Sequence, residues 1–187
     1  YSGNTGDREA LLVVLSGTAH VTVGGVSFTD VGGRPNAFAG KPHSVYMPPR
    51  CDFRIDVPRT ARRFEAAVPM ARAEEAATPF LIVPDDVQTG KWGISNFSRA
   101  FRQILVEGQH PQYKISRLIA GETLTPSGNW STYPPHRHEI DNPPHEVFME
   151  EMYYFRVSPN DGWGLAKYYT DDRSIDEAYT VKDDTIL

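Results

Sequence analysis

Two histidines one residue apart, His136 and His138, close the run Gly128-Asn129-Trp130-Ser131-Thr132-Tyr133-Pro134-Pro135-His136-Arg137-His138-Glu139. On an extended strand, side chains two apart leave the same face, about 6.5 Å apart along the backbone. Both imidazoles can then converge on one divalent ion at metal–nitrogen distances of about 2.0–2.1 Å. A carboxylate from a neighbouring strand would add an oxygen ligand. Glu150-Glu151 follows a Pro143-Pro144 loop, which suits a hairpin returning antiparallel. Only one of the two can face the histidines. Glu151 is favoured because it matches Glu9 in a weak internal repeat. That register also turns Tyr153 and Phe155 toward the same cavity.

A His-x-His pair alone is a weak signal, since exposed pairs on polar loops are common. The preceding prolines, the acidic pair and the β context strengthen it. Glu139, His145 and Glu146 compete as ligands by proximity, but they read as solvated positions on the hairpin loop. His20 falls on the polar face of a strand, and His43 and His110 stand in Pro-containing loops, which favours surface or structural roles. No Gly-rich phosphate loop precedes a helix, so nucleotide binding has no support. Neither Ser16 nor Ser127 sits in a G-x-S-x-G elbow. Cys51 has no context marking a nucleophile, and as the one thiol it forms no internal disulfide, which fits a reducing cytoplasm.

The elements that must position these residues are strands. Leu11 to Leu15 is a buried apolar run, and Ala19, Val21 and Val23 alternate with His20 and Thr22 at the period of a half-buried strand. Gly24-Gly25 fits a tight hairpin turn. Further strands are expected at 44–47, 53–57, 64–68, 113–120, 151–157, 165–170 and 178–181. Many short strands with Gly and Pro turns point to an all-β sandwich or barrel. Ala71 to Ala77 is the one helix-friendly stretch, bracketed by Pro69 and Pro79.

Glu9 and Glu151 each precede six mostly apolar residues and a serine, Ser16 and Ser158. Two copies of one β-domain explain that spacing, with a linker between about Pro69 and Phe101. The division is expected at residues 1–85 and 86–187. The chain has 187 residues, 40% hydrophobic and 23% charged, with net charge −5. An acidic balance argues against nucleic acid as a partner. The longest apolar run is too short to span a bilayer as a helix. Tyr1 is not a start methionine, and Asp184-Thr185-Ile186-Leu187 reads as the opening of a strand, so a longer protein is expected.

Gly128 to His138, Met149-Glu150-Glu151-Met152-Tyr153-Tyr154 and Tyr169-Thr170-Asp171-Asp172-Arg173-Ser174-Ile175-Asp176-Glu177 resemble the 5-deoxy-glucuronate isomerase family of bacterial myo-inositol catabolism. That family is related to the 4-deoxy-hexulose-uronate ketol-isomerases. Arg8-Glu9, Val13 to Gly17 and Asp30 to Arg34 carry the resemblance at the front, whereas Ala71 to Gln109 match poorly. The resemblance implies a bicupin of two jelly-roll barrels, both incomplete in this chain. It implies a cytoplasmic aldose–ketose isomerase interconverting 5-deoxy-D-glucuronate and 5-dehydro-2-deoxy-D-gluconate. Its metal pattern maps onto His136, His138 and Glu151, with a fourth ligand, a histidine, past Leu187. The first copy carries Pro48-Pro49-Arg50-Cys51-Asp52-Phe53 where a last histidine ligand would stand, so that half is expected to be metal-free.

Moving a proton between adjacent carbons passes through an enediol, and a Lewis acid steadies its negative charge. Zinc is the expected metal, with manganese or iron also suited to these ligands. Tyr153, Glu150 or a water on the ion are the candidates for proton transfer. Lys167, at a position where the family pattern suggests arginine, and Arg173 are the candidates for holding the substrate carboxylate. A small sugar acid is the expected partner, with neither nucleic acid nor membrane, and with a homo-oligomer left open. The rival readings are an isomerase of another uronate, an iron-dependent dioxygenase and a non-catalytic sugar-acid binder.

Overall fold

The computed structural model describes residues 1–74 and 77–187. Packing divides them into two compact units, Tyr1–Pro134 and Pro135–Leu187. The division expected at residues 85 and 86 concerned repeated copies rather than packing units. The chain is all-β, as its turn and strand pattern predicts, and its only helices are short 3-10 turns at Pro84–Asp86 and Ser95–Phe97 among the described residues.

The first unit holds β1 (Ser2–Asn4), β2 (Arg8–Ser16), β3 (Thr18–Val23), β4 (Val26–Gly32), β5 (Ser44–Met47), β6 (Asp52–Asp56), β7 (Glu65–Ala67), β8 (Met70–Arg72), β9 (Phe80–Ile82), β10 (Gln88–Trp92), β11 (Arg99–Leu105) and β12 (Ala120–Leu124). They form antiparallel sheets in the orders β1-β6-β3-β4, β7-β2-β5-β9 with β8 also on β2, and β10-β11-β12. The strand β2 explains its own sequence. Ala10, Leu12 and Val14 pack with Ala19, Val21, Val23, Val45 and Met47, while Leu11, Val13 and Leu15 pack with Tyr46, Phe80, Ile82, Ile104 and Leu105. A strand covered on both faces favours a near-continuous apolar run. By contrast β3 is covered on one face and alternates. Gly24 and Gly25 take φ of +54° and +83°, the two positive values that a two-residue hairpin demands.

Two buried polar assemblies complete this unit. The carboxylate of Glu9, fully buried in β2, accepts hydrogen bonds from the Tyr46 hydroxyl at 2.6 Å and from the Ser116, Arg117 and Leu118 amides at 3.1, 2.5 and 2.6 Å. Burial, and then the hydrogen bond to Glu9, push the Tyr46 phenol well above its ordinary value. Glu122 on β12 takes a bidentate contact from Arg34 and a 2.9 Å bond from Arg102. Arg34 also donates to the Val14 carbonyl at 2.9 Å.

Three expectations give way here. Residues 113–120 are not a strand, although Ala120 opens β12, because the amides of Ser116 to Leu118 turn inward to Glu9 instead of joining a ladder. The supposed linker contributes β8, β9 and β10 and the start of β11. Met70–Arg72 is a strand on β2 rather than the start of a helix, and Glu75 and Ala76 of that helix-friendly stretch lie outside the described residues.

The second unit holds β13 (Tyr154–Phe155), β14 (Gly164–Tyr169), β15 (Asp176–Val181) and β16 (Thr185–Ile186), paired antiparallel as β13-β16 and β14-β15. Of the strand expected over 151–157, only Tyr154–Phe155 forms. Val181 is the one buried hydrophobic among its described residues. No helix among the described residues is long and apolar enough to cross a membrane.

Candidate metal centre

His136 and His138 lie on a segment that belongs to no strand, which corrects the expectation of a regular ladder. The prolines at 134, 135, 143 and 144 bring no amide hydrogen to a ladder. What remains is an open hairpin. The Asn142 amide donates to the Glu146 carbonyl at 2.9 Å, and the Met149 amide to the His138 carbonyl at 3.3 Å. Glu146 supplies the missing order with its side chain. Its carboxylate accepts the Glu139 and Ile140 amides at 2.8 and 3.0 Å and the Arg137 Nε at 3.2 Å. The Glu139 amide, followed by the Ile140 amide and Arg137, holds the Glu146 carboxyl below the usual carboxylate range.

The returning segment brings Glu151 to the histidines. One donor atom from each of His136, His138 and Glu151 lies within 4.8 Å of the others. The imidazole rings meet edge to face, with centroids 5.0 Å apart. His136 Nε2 stands 3.5 Å from Glu151 Oε2. A tetrahedral ion with bonds of 2.0–2.1 Å keeps its donors about 3.4 Å apart, so this pair already has the required spacing. The His138 Nδ1 lies 3.1 Å from the Val147 carbonyl. A proton on that nitrogen makes Nε2 the free donor. The Tyr153 hydroxyl donates to Glu151 Oε1, which leaves Oε2 on the side of His136.

The other sequence candidates fall elsewhere. Glu150 is exposed and outside the three-residue group. The Lys167 ammonium is 2.5 Å from Asp176, and Arg173 lies 3.2 Å from the same carboxylate with its guanidinium 4.0 Å over the Tyr169 ring. Glu139 and His145 are exposed, and Glu146 closes the hairpin as described. His20 is exposed, His43 accepts the Gly32 amide at 3.0 Å, and His110 is buried with Nε2 3.1 Å from the Ile104 carbonyl. Burial raises the Cys51 thiol, the opposite of what a nucleophile needs. Sequence reasoning missed Tyr168, whose phenol is pushed up by burial and then by the nearby Glu151 charge. It also missed Arg137 as an anchor. Arg137 stands between the two histidines in sequence, and that position is the signal that marks it.

The likeness to known proteins covers the whole chain. A model of the KduI/IolB family matches residues 1–187. A protein of Geobacillus kaustophilus named 5-deoxy-glucuronate isomerase is 36% identical over 98% of this chain and 64% of its own length. A protein of the same name from Bacillus subtilis is 34% identical over 100% of this chain and 67% of its own length. The crystal structure of an IolB-like protein from Salmonella typhimurium superposes with a TM-score of 0.91 at 28% identity, over 100% of this chain and 69% of that one. The chain thus spans about two thirds of the length of the relatives it matches. By sequence along its full extent, and by a fold shared with one solved relative, the chain belongs to the KduI/IolB family.

Proposed function

We propose that the protein is a metal-dependent aldose–ketose isomerase that interconverts 5-deoxy-D-glucuronate and 5-dehydro-2-deoxy-D-gluconate. The observation that carries this reading is the convergence of His136, His138 and Glu151 within 4.8 Å, in a chain about one third identical to proteins named 5-deoxy-glucuronate isomerase. Two neutral imidazoles and one carboxylate suit zinc, manganese or iron and leave positions open for substrate. When bound, such an ion supplies Lewis-acid stabilisation for the negative charge of an enediolate. His136 and His138 would hold it through ring nitrogens, and Glu151 through the carboxylate oxygen that the Tyr153 hydroxyl leaves free. The proton that moves between the two carbons needs a carrier beside the site. Tyr153 is within reach of Glu151, and Glu150 stands next in the chain, so these two remain its candidates. Lys167 and Arg173, which share Asp176, are the cations proposed for the substrate carboxylate. The setting proposed is cytoplasmic sugar-acid metabolism, with the small substrate as partner.

The test is elemental analysis together with an isomerase assay on the full-length protein. Stoichiometric metal and anaerobic turnover of the 5-deoxy uronate are expected. Oxygen uptake with bound iron, or binding without turnover, would replace this reading. His136→Ala and His138→Ala are each expected to lose metal and activity together, and full activity in a metal-free variant contradicts the assignment.

A further inference from the structure

The residue between the two candidate ligands is anchored from behind. Arg137 turns to Glu146 and Asp171, whereas its neighbours His136 and His138 group with Glu151. Its Nε donates to Glu146 at 3.2 Å and its Nη1 to Asp171 at 2.7 Å. Glu146 in turn holds the Glu139 and Ile140 amides. One carboxylate therefore closes the loop behind the histidines, and one guanidinium joins that loop to the turn between β14 and β15. The turn is itself tied down. Asp172 accepts the Thr170 hydroxyl at 2.6 Å, the Ser174 amide at 3.0 Å and the Ser174 hydroxyl at 2.8 Å.

An exposed ion pair alone contributes little, and the Arg137–Asp171 contact is of that kind, with the Asp171 side chain 86% exposed. Glu146 differs. Its side chain is 16% exposed, and it binds two amides and Arg137 at once on a hairpin that has few backbone bonds. We infer that Arg137, gripped by Glu146 and Asp171, is a positioning residue that sets the spacing of His136 and His138 before any ion arrives. It touches neither ion nor substrate and acts through the backbone it fixes. This inference rests on the metal-site reading above.

The experiment titrates Co²⁺ into the chelator-stripped full-length protein and follows the visible ligand-field spectrum, for wild type, H138A, R137A, R137K and E146Q. Thermal unfolding of each apo form is measured alongside. Wild type is expected to give a saturating spectrum that H138A lacks. If H138A binds like wild type, the metal-site reading fails. Given that control, R137A and E146Q are expected to bind about tenfold more weakly, in the range known for residues that orient metal ligands. Their saturated spectrum is expected to keep the wild-type band positions, because the ligands are unchanged. R137K is expected to recover little, since an ammonium lacks the fork that reaches two carboxylates. Wild-type Co²⁺ affinity in R137A overturns the inference while leaving the metal site intact. Should R137A fail to fold, wild-type affinity in E146Q, which keeps the side-chain shape, overturns it equally.

Discussion

Glu150 and Glu151 are chemically identical, and the structure separates them by placement. Glu151 presents one oxygen to His136 and receives the Tyr153 hydroxyl on the other, whereas Glu150 is exposed and outside the group. Glu151→Gln is expected to weaken metal binding sharply in calorimetric titration, since a neutral amide oxygen is a poor ligand for a divalent ion. Glu150→Gln is expected to leave metal affinity unchanged, and the reverse ranking would move the ligand assignment to Glu150. The histidine pair and the acidic pair were legible in the sequence from spacing alone. A repeat with Glu9 favours Glu151 in the sequence, yet the two environments differ. Glu9 is fully buried and held by three amides and a tyrosine, while Glu151 is exposed beside two imidazoles.

Among the elements, the turn joining β14 to β15 carries the clearest pH signature. The Thr170 hydroxyl, followed by the Ser174 amide and hydroxyl, holds the Asp172 carboxyl down at about 2 from its ordinary 3.8. A carboxyl depressed on folding contributes stability that is fully present above its unfolded value and fades as pH falls through the folded one. The turn is thus expected to stay closed above about pH 4 and to loosen between pH 4 and 2. Amide exchange at Ser174 measures this. Asp172→Asn is expected to raise that exchange at neutral pH and to remove its acid dependence, and unchanged exchange in the variant would show that the carboxylate does not hold the turn. The hydrophobic strands β2, β3 and β5 were readable because β2 and β5 are short, mostly apolar runs buried throughout and β3 alternates. By contrast β10 to β12 were not, for they carry Lys91, Arg99, Arg102 and Glu122, and their few buried positions make no clear period.

On the scale of the molecule, the unit spanning Tyr1–Pro134 is held by its two apolar clusters and by charges buried between distant segments. Glu9 links β2 to a segment more than a hundred residues later in the chain. Removing it strands the buried Leu118 amide and Tyr46 phenol, together with the part-buried Ser116 and Arg117 amides, and each unpaired buried group costs about 1–3 kcal/mol. Glu9→Ala is therefore expected to destabilise this unit by at least about 3 kcal/mol in denaturant unfolding, and more than Glu9→Gln, which keeps an acceptor. A loss under about 1 kcal/mol would mean that water replaces the carboxylate there. In the unit Pro135–Leu187, short hairpins and side-chain bonds to backbone do what a core does in the other, because Val181 is its one buried hydrophobic among the described residues.

The amino-acid sequence by itself determined the all-β class, the hairpin at Gly24-Gly25, the double-sided burial of β2 and the histidine pair with an acidic partner downstream. Each of these is local, set by residue type and short-range spacing. Only the tertiary structure decided that Glu9 is the anchor of residues 116–118, that Arg34 and Arg102 share Glu122, that Lys167 and Arg173 share Asp176, and that Glu146 and Asp171 grip Arg137. The physical reason is range. A hydrophobic period is written along one segment, whereas a buried or shared charge takes its partner from wherever the chain returns, and no spacing announces that return.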